Sequence, residues 1–242
     1  MLTPFGLFVY RLACGCIWLG AKLFWRVRYF GVENIPREGP LILASNHASH
    51  LDPPIVGIGV PQPVSFIAKA ELFRMPIPGW FLRLVGQIGV ERGGGGRKAL
   101  IVAQKCLEEG GTVIIFPEGT RSATGRVMRG RSGISVLALK TGCPVVPVGI
   151  TGTHKAFHRG MKVPRPGRVT VTYGKPRIFE KGDSNGEAIS RSRLDEITAE
   201  IMLEIQRLLP EEMRARKGEV PDAQFLDDFP GSDDGALPDE AE

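Results

Sequence analysis

From about residue 40 the chain alternates short apolar runs with amphipathic stretches, and this alternation narrows the fold more than any other feature. Segments 41–45, 64–68, 87–91, 112–116, 145–150 and 168–173 are short and largely apolar, the pattern of strands buried in a sheet. Segments 97–109, 133–140 and 194–209 carry apolar residues at helical spacing. Strands alternating with helices imply an α/β domain, with a mostly parallel central sheet flanked by helices and its site at the carboxyl ends of the strands.

Ahead of this region, residues 5–30 are apolar and rich in Phe, Leu, Trp and Ile, interrupted by Arg11 and Lys22 and followed by Arg26 and Arg28. A spanning helix needs about 20 uninterrupted apolar residues. At about 100° per residue Arg11, Lys22 and Arg26 fall in one narrow sector. The expectation is an amphipathic, hydrophobic helical segment lying in a membrane interface, with a full span or a cleaved leader as the alternatives.

At the other end, residues 211–242 hold eleven acidic and three basic residues, a net −8 that leaves +13 on residues 1–210. The chain therefore divides into a membrane-associating segment at 1–30, one catalytic domain at 31–210 and an acidic, disordered tail at 211–242. A basic body suits a phosphorylated substrate, an acyl carrier, an anionic lipid surface or nucleic acid. Cys14, Cys16, Cys106 and Cys143 lack the spacing of a zinc or redox centre and read as small apolar residues in a reducing compartment.

Directly after the first strand comes Asn46-His47-Ala48-Ser49-His50-Leu51-Asp52-Pro53-Pro54. Asp52 followed by proline has the form of a helix N-cap. From there its carboxylate can turn back to the Nδ1 proton of His47, fixing the tautomer and leaving Nε2 as a general base. Such a pair without a serine nucleophile fits direct attack of an acceptor hydroxyl on an activated thioester. Taken alone, the same residues also describe a capped helix beside a loop histidine, a Ser49 nucleophile, or a metal site made of His47, His50 and Asp52.

Three further blocks follow in order: Gly86-Gln87-Ile88-Gly89-Val90-Glu91-Arg92, Phe116-Pro117-Glu118-Gly119-Thr120-Arg121-Ser122, and Val145-Val146-Pro147-Val148. Together with the His47–Asp52 block they resemble the lysophospholipid acyltransferase family, bacterial 1-acylglycerol-3-phosphate acyltransferases in particular, from about residue 31 to residue 153. The resemblance implies His47 and Asp52 as the catalytic pair. It implies Arg92, Glu118, Gly119, Thr120 and Arg121 at the acceptor's glycerol-phosphate site, where arginine forks suit phosphate. It further implies acyl-CoA or acyl-carrier protein as co-substrate, no metal or other cofactor, a lysophospholipid acceptor, no nucleic-acid partner, and a place on the cytoplasmic face of the cell membrane.

The product would be phosphatidic acid, for phospholipid biosynthesis. A lyso-ornithine lipid or lysophosphatidylglycerol acceptor, or a catalytically silent membrane-binding protein, are the competing readings. Val145–Val148 reads as a buried strand shaping the acyl or acceptor pocket. The basic run 126–131 stands where the family commonly carries lysine. His50 is expected to shape the pocket, with His154 and His158 at the surface. Gly93-Gly94-Gly95-Gly96-Arg97-Lys98 fails the phosphate-loop pattern and reads as a mobile loop.

Overall fold

Strand β2 (Leu41–Ser45) shows why the central strands lack polar alternation: all five residues are buried. Leu41 and Leu43 join one apolar core while Ile42 and Ala44 join another on the opposite face. A strand covered on both faces has no solvent side to mark with polar residues. The same holds for β5 (Thr112–Ile115) and, over its first six residues, for β6 (Val145–Thr151), which flank β2.

The computed structural model describes residues 3–90, 95–180 and 189–216. In chain order the helices are α1 (Pro4–Trp25), α2 (Asp52–Ile58), α3 (Ala70–Arg74), α4 (Pro76–Leu84), α5 (Gly95–Glu108), α6 (Gly133–Thr141), α7 (Thr153–Phe157) and α8 (Arg191–Arg207). The remaining strands are β1 (Arg28–Phe30), β3 (Val64–Lys69), β4 (Ile88–Val90) and β7 (Thr170–Tyr173). Among the described residues the seven strands form one sheet in the order β1-β7-β6-β2-β5-β3-β4. The pairing is parallel except between β6 and β7, so the edge formed by β7 and β1 runs against the rest.

One face of the sheet is covered by α5, α6 and α8. Ala103 and Leu107, Ile134 and Leu137, and Ile197, Ile201 and Ile205 present one apolar stripe each. On the other face Ile55, Val56, Ala21 and Tyr173 pack over Leu41, Leu43, Ile114 and Val146. The expected α/β architecture with a mostly parallel central sheet is thus observed.

Several boundaries move for local reasons. Helix α8 starts at Arg191 because Ser190 Oγ accepts the Arg193 N–H and caps it. Strand β7 starts at Thr170, since Val169 N–H is spent on the Trp25 carbonyl at the end of α1. Strand β4 starts at Ile88, while the Gln87 side chain stitches Phe66 N–H, Val64 O and Val85 O together. The sheet also reaches back to Arg28, inside the stretch read as membrane-associating, because β1 pairs with β7.

At the far end the chain stays folded past Pro210. Val127 N–H donates to Met213 O and Ala215 N–H to Gln206 Oε1, so the first residues of the expected acidic tail belong to the domain. Residues 217–242 lie outside the described residues.

Helix α1 is long and apolar enough to cross a membrane by length and composition, yet one side is docked on the domain. Tyr10 Oη accepts the Val64 N–H at 3.0 Å, and Ala21 is buried against the α2 side of the sheet. Phe5, Phe8, Leu12, Leu19 and Leu23 point the other way and are exposed. The basic stripe differs from expectation. Arg26 lies beyond the helix in a left-handed conformation, and Arg11 and Lys22 sit on the flank between the docked and exposed apolar sides.

Candidate active site

Two parallel strands end side by side and aim their loops at each other. Beyond β2, Asn46 Nδ2 donates to Ile150 O and its Oδ1 accepts the Ile150 N–H, latching the strand end to β6. His47 follows on this fixed stem. Beyond β5, Phe116 lays its ring on the His47 imidazole, with centroids 4.0 Å apart and planes at 21°. The imidazole is held from below by stacking and from the side by a carboxylate.

That carboxylate is Asp52, which is fully buried. Its Oδ2 lies 2.8 Å from His47 Nδ1 and also accepts the Ala48 and Ser49 N–H groups, each at 2.7 Å. Asp52 is the first residue of α2, and the cap position is Leu51. This corrects the expected N-cap by one residue. The side chain turns out of the helix to gather the loop's donors, at a position where the helix dipole also favours a negative charge. With Nδ1–H given to the carboxylate, Nε2 is the nitrogen left for chemistry. Ser49 is committed elsewhere, its Oγ donating to Phe157 O at 2.6 Å and accepting the Leu51 N–H.

Glu118 stands behind this pair and is only 3% exposed. Oε1 accepts the His47 N–H at 2.9 Å and Oε2 the Met128 N–H at 3.2 Å. Burial pushes its carboxyl up to about 8, against the pull of those two donors, and the nearby Asp52 charge adds to the rise. Glu118, expected at the acceptor's site, is not among the residues lining the cavity that His47 opens on, and both its oxygens are engaged by backbone donors. It ties the His47 loop to the 116–131 segment, as does the bond from Ser122 N–H to His47 O at 2.8 Å.

Gly119 closes the turn after Glu118 with φ +69, a region where side chains are strained. An added Cβ would also lie 2.8 Å from Arg131 Nε, which brings one arginine of the basic run 126–131 against the site.

Gly119, Thr120 and Arg121 line a cavity of about 760 Å³ together with His47 and His50. Its lining is largely apolar and comes from α1, α2, β3, α3 and α4, including Tyr10, Ile17, Gly57, Phe66, Leu72 and Leu82. His50 shapes its mouth, as expected. Val145–Val148 is buried in the sheet and lines none of it, which corrects the pocket role read for that block. Arg92 and Gly93-Gly94 lie outside the described residues, and Gly95 and Gly96 already belong to α5.

Arg121 is half-buried, and its Nη1 is buried without a hydrogen-bond partner. Burial first, then the positive charge of Arg159, hold its guanidinium below the ordinary value. Arg159, on the loop after α7, lines the same cavity and carries no signal in the four sequence blocks. His154 and His158 stack on each other at 5.0 Å and bond backbone carbonyls, half-buried instead of at the surface.

Residues 26–151 match the family described as Acyltransferase, more than half of the chain. A 1-acyl-sn-glycerol-3-phosphate acyltransferase of Pseudomonas aeruginosa is 31% identical over 78% of this chain and 74% of its own. A chloroplast 1-acyl-sn-glycerol-3-phosphate acyltransferase of Brassica napus is 34% identical over 66% of this chain. The chain spans about half the length of that plant relative, 47% of it. The crystal structure of the Thermotoga maritima 1-acyl-sn-glycerophosphate acyltransferase, PlsC, superposes with a TM-score of 0.60 at 30% identity, covering 88% of this chain and 89% of that one. The resemblance read from the four sequence blocks is thereby established: the chain belongs to the acyltransferase family.

Proposed function

We propose that the protein transfers a fatty acyl group from acyl-CoA or acyl-carrier protein to the free sn-2 hydroxyl of 1-acylglycerol 3-phosphate, giving phosphatidic acid. The observation that carries this reading is a carboxylate-oriented imidazole opening on an apolar cavity whose rim holds Arg121 with an unpartnered Nη1. The acceptor's phosphate sits at Arg121, with Thr120 and the Gly119 turn beside it, and the family resemblance adds the charge of Arg92. Its hydroxyl gives a proton to His47 Nε2 as the oxygen attacks the thioester carbonyl. Asp52 stabilises the imidazolium that forms, which returns the proton to the departing thiolate. No residue stores the acyl group, and no metal or other cofactor enters the scheme.

The same reading places the protein on the cytoplasmic face of the membrane, where both thioester donors occur. The exposed apolar side of α1 enters the lipid, and Arg11 and Lys22 lie at head-group level. The cavity shares wall residues with α1, so an acyl chain passes from bilayer to site without crossing water.

Purified protein incubated with labelled acyl thioester and a panel of lysolipids tests the activity. Labelled phosphatidic acid is the expected product; thioester consumption with a phosphate-free acceptor alone, or none at all, would overturn the reading.

The cavity walls yield a second expectation. Gly57 of α2 faces the acyl region, and a Cβ added there meets only Ile114 Cδ1, at 3.8 Å. Gly57→Val should fold normally and shorten the cavity. Each methylene it excludes costs about 0.8 kcal/mol, about fourfold in preference. Competition between long- and short-chain thioesters should shift toward the short one, and an unchanged ratio would place the acyl chain elsewhere.

A further inference from the structure

The mouth of the cavity carries positive charge from two distant parts of the chain. Arg121 comes from the loop after β5, and Arg159 from the turn after α7, thirty-eight positions later in sequence. That turn is not free to wander. Ser49 Oγ, in the loop beside His47, donates to Phe157 O at 2.6 Å. Met161 N–H donates to His158 O and Arg165 N–H to Ala156 O, while Trp25 Nε1 of α1 donates to Arg165 O. Phe157 also lies against His50, with centroids 5.9 Å apart. The backbone on either side of Arg159 is tied to the His47 loop and to the end of α1, and the exposed side chain reaches the cavity.

Among the described residues neither guanidinium is paired with a carboxylate, and the buried Asp52 charge offsets only part of what burial and Arg159 do to Arg121. Residues 153–168 hold five Lys and Arg and no Asp or Glu, so the segment that carries Arg159 supplies no counter-charge. Asp52 and Glu118 are buried and already accept hydrogen bonds. Arg121 Nη1 remains a buried donor without an acceptor. Two arginines that line one cavity and feel each other's charge, one of them with a buried donor that has no acceptor, suit an anion of more than one charge.

We propose that Arg159 is a specificity-determining residue that closes with Arg121 on the terminal phosphate of the acceptor, selecting a phosphomonoester over a phosphodiester head group. The proposal rests on the acyltransferase reading above and names the head-group class that the site prefers. A phosphomonoester carries about −1.5 to −2 charges near neutral pH and three terminal oxygens, enough to engage two planar forks at once. A phosphodiester such as phosphoglycerol carries one charge and two terminal oxygens, and its second ester substituent stands where one fork must approach.

The test uses the full-length protein and two non-acylatable analogues lacking the sn-2 hydroxyl, one with a phosphate and one with a phosphoglycerol head group, bound from detergent micelles and followed by calorimetry. Arg159→Ala should weaken the phosphate analogue about tenfold or more and the phosphoglycerol analogue less than about threefold. Arg159→Lys, which keeps the charge without the fork, should fall between. In turnover with lysophosphatidic acid the loss should appear in KM and not in kcat, with an unchanged thermal melt. Equal losses for both analogues, no loss for either, or no preference in the wild-type protein would overturn the proposal. Wild-type protein that binds the phosphate analogue with the expected preference but acylates no lysolipid would instead sink the acyltransferase reading and leave the clamp standing.

Discussion

Replacing His47 with alanine is expected to reduce kcat about 10²–10⁴-fold, the usual contribution of a positioned general base, with the protein still folded. Ser49 Oγ does not offer a substitute, because it is held by Phe157 O. Asp52→Asn should come close to it for a different reason. Asp52 Oδ2 takes all three donors, from His47, Ala48 and Ser49, while Oδ1 is buried with no partner. An asparagine can keep its oxygen on the three donors and set its amide where Oδ1 lies, so the loop survives. What disappears is the negative charge that, in the proposed mechanism, stabilises the imidazolium. Thermal melts near wild type combined with a kcat down about 10²-fold or more would separate this electrostatic role from mere support. Retention of kcat within about tenfold by His47→Ala would remove His47 from the chemistry.

The parts of the fold legible from letters are those in which burial leaves a pattern. Strands β2, β5 and β6 read as strands because both faces are covered and the runs are apolar throughout. Strand β7 also reads as a strand, but Thr170-Val171-Thr172-Tyr173 gives no hint of direction. That it runs against β6 follows from how the chain returns from α7, a property of three dimensions. Strand β1 has three residues, too few for any period to register beside the apolar helix that precedes it. The N-cap assignment at Asp52 missed by one residue because Asp-Pro scores equally well at the cap and one position inside.

The site shows the same division. His47 and Asp52 were legible because only five positions separate the loop histidine from the first residue of α2. Arg121 was legible through its neighbours. Glu118 was visible as a motif member, but its task was not: both its partners are backbone N–H groups, of His47 and Met128, and backbone donors leave no mark in a sequence. Asn46 is hidden in the same way, since it bonds the Ile150 backbone across the sheet. Arg159 could not be found at all, because only the packing of the α7 turn against the His47 loop puts it at the cavity.

Because Glu118 joins two segments through buried bonds, its removal should damage stability as well as activity. Glu118→Ala leaves the His47 and Met128 N–H groups without their acceptors at part-buried positions. Each orphaned donor costs about 1–3 kcal/mol, so the pair costs about 2–6 kcal/mol against a typical domain stability of about 5–15 kcal/mol. The pH dependence gives a second handle. A carboxyl whose folded pKa is raised from 4.5 to about 8 favours the native state most when protonated. Its contribution is therefore complete below about 4.5 and declines as pH rises to about 8, after which it changes no further. Denaturant unfolding of wild type and Glu118→Ala from pH 5 to 9 should show the difference between them shrinking with rising pH. A difference that stays flat over that range would mean that the two N–H donors, and not burial, govern this carboxyl, and that it works as a charged anchor for the His47 loop.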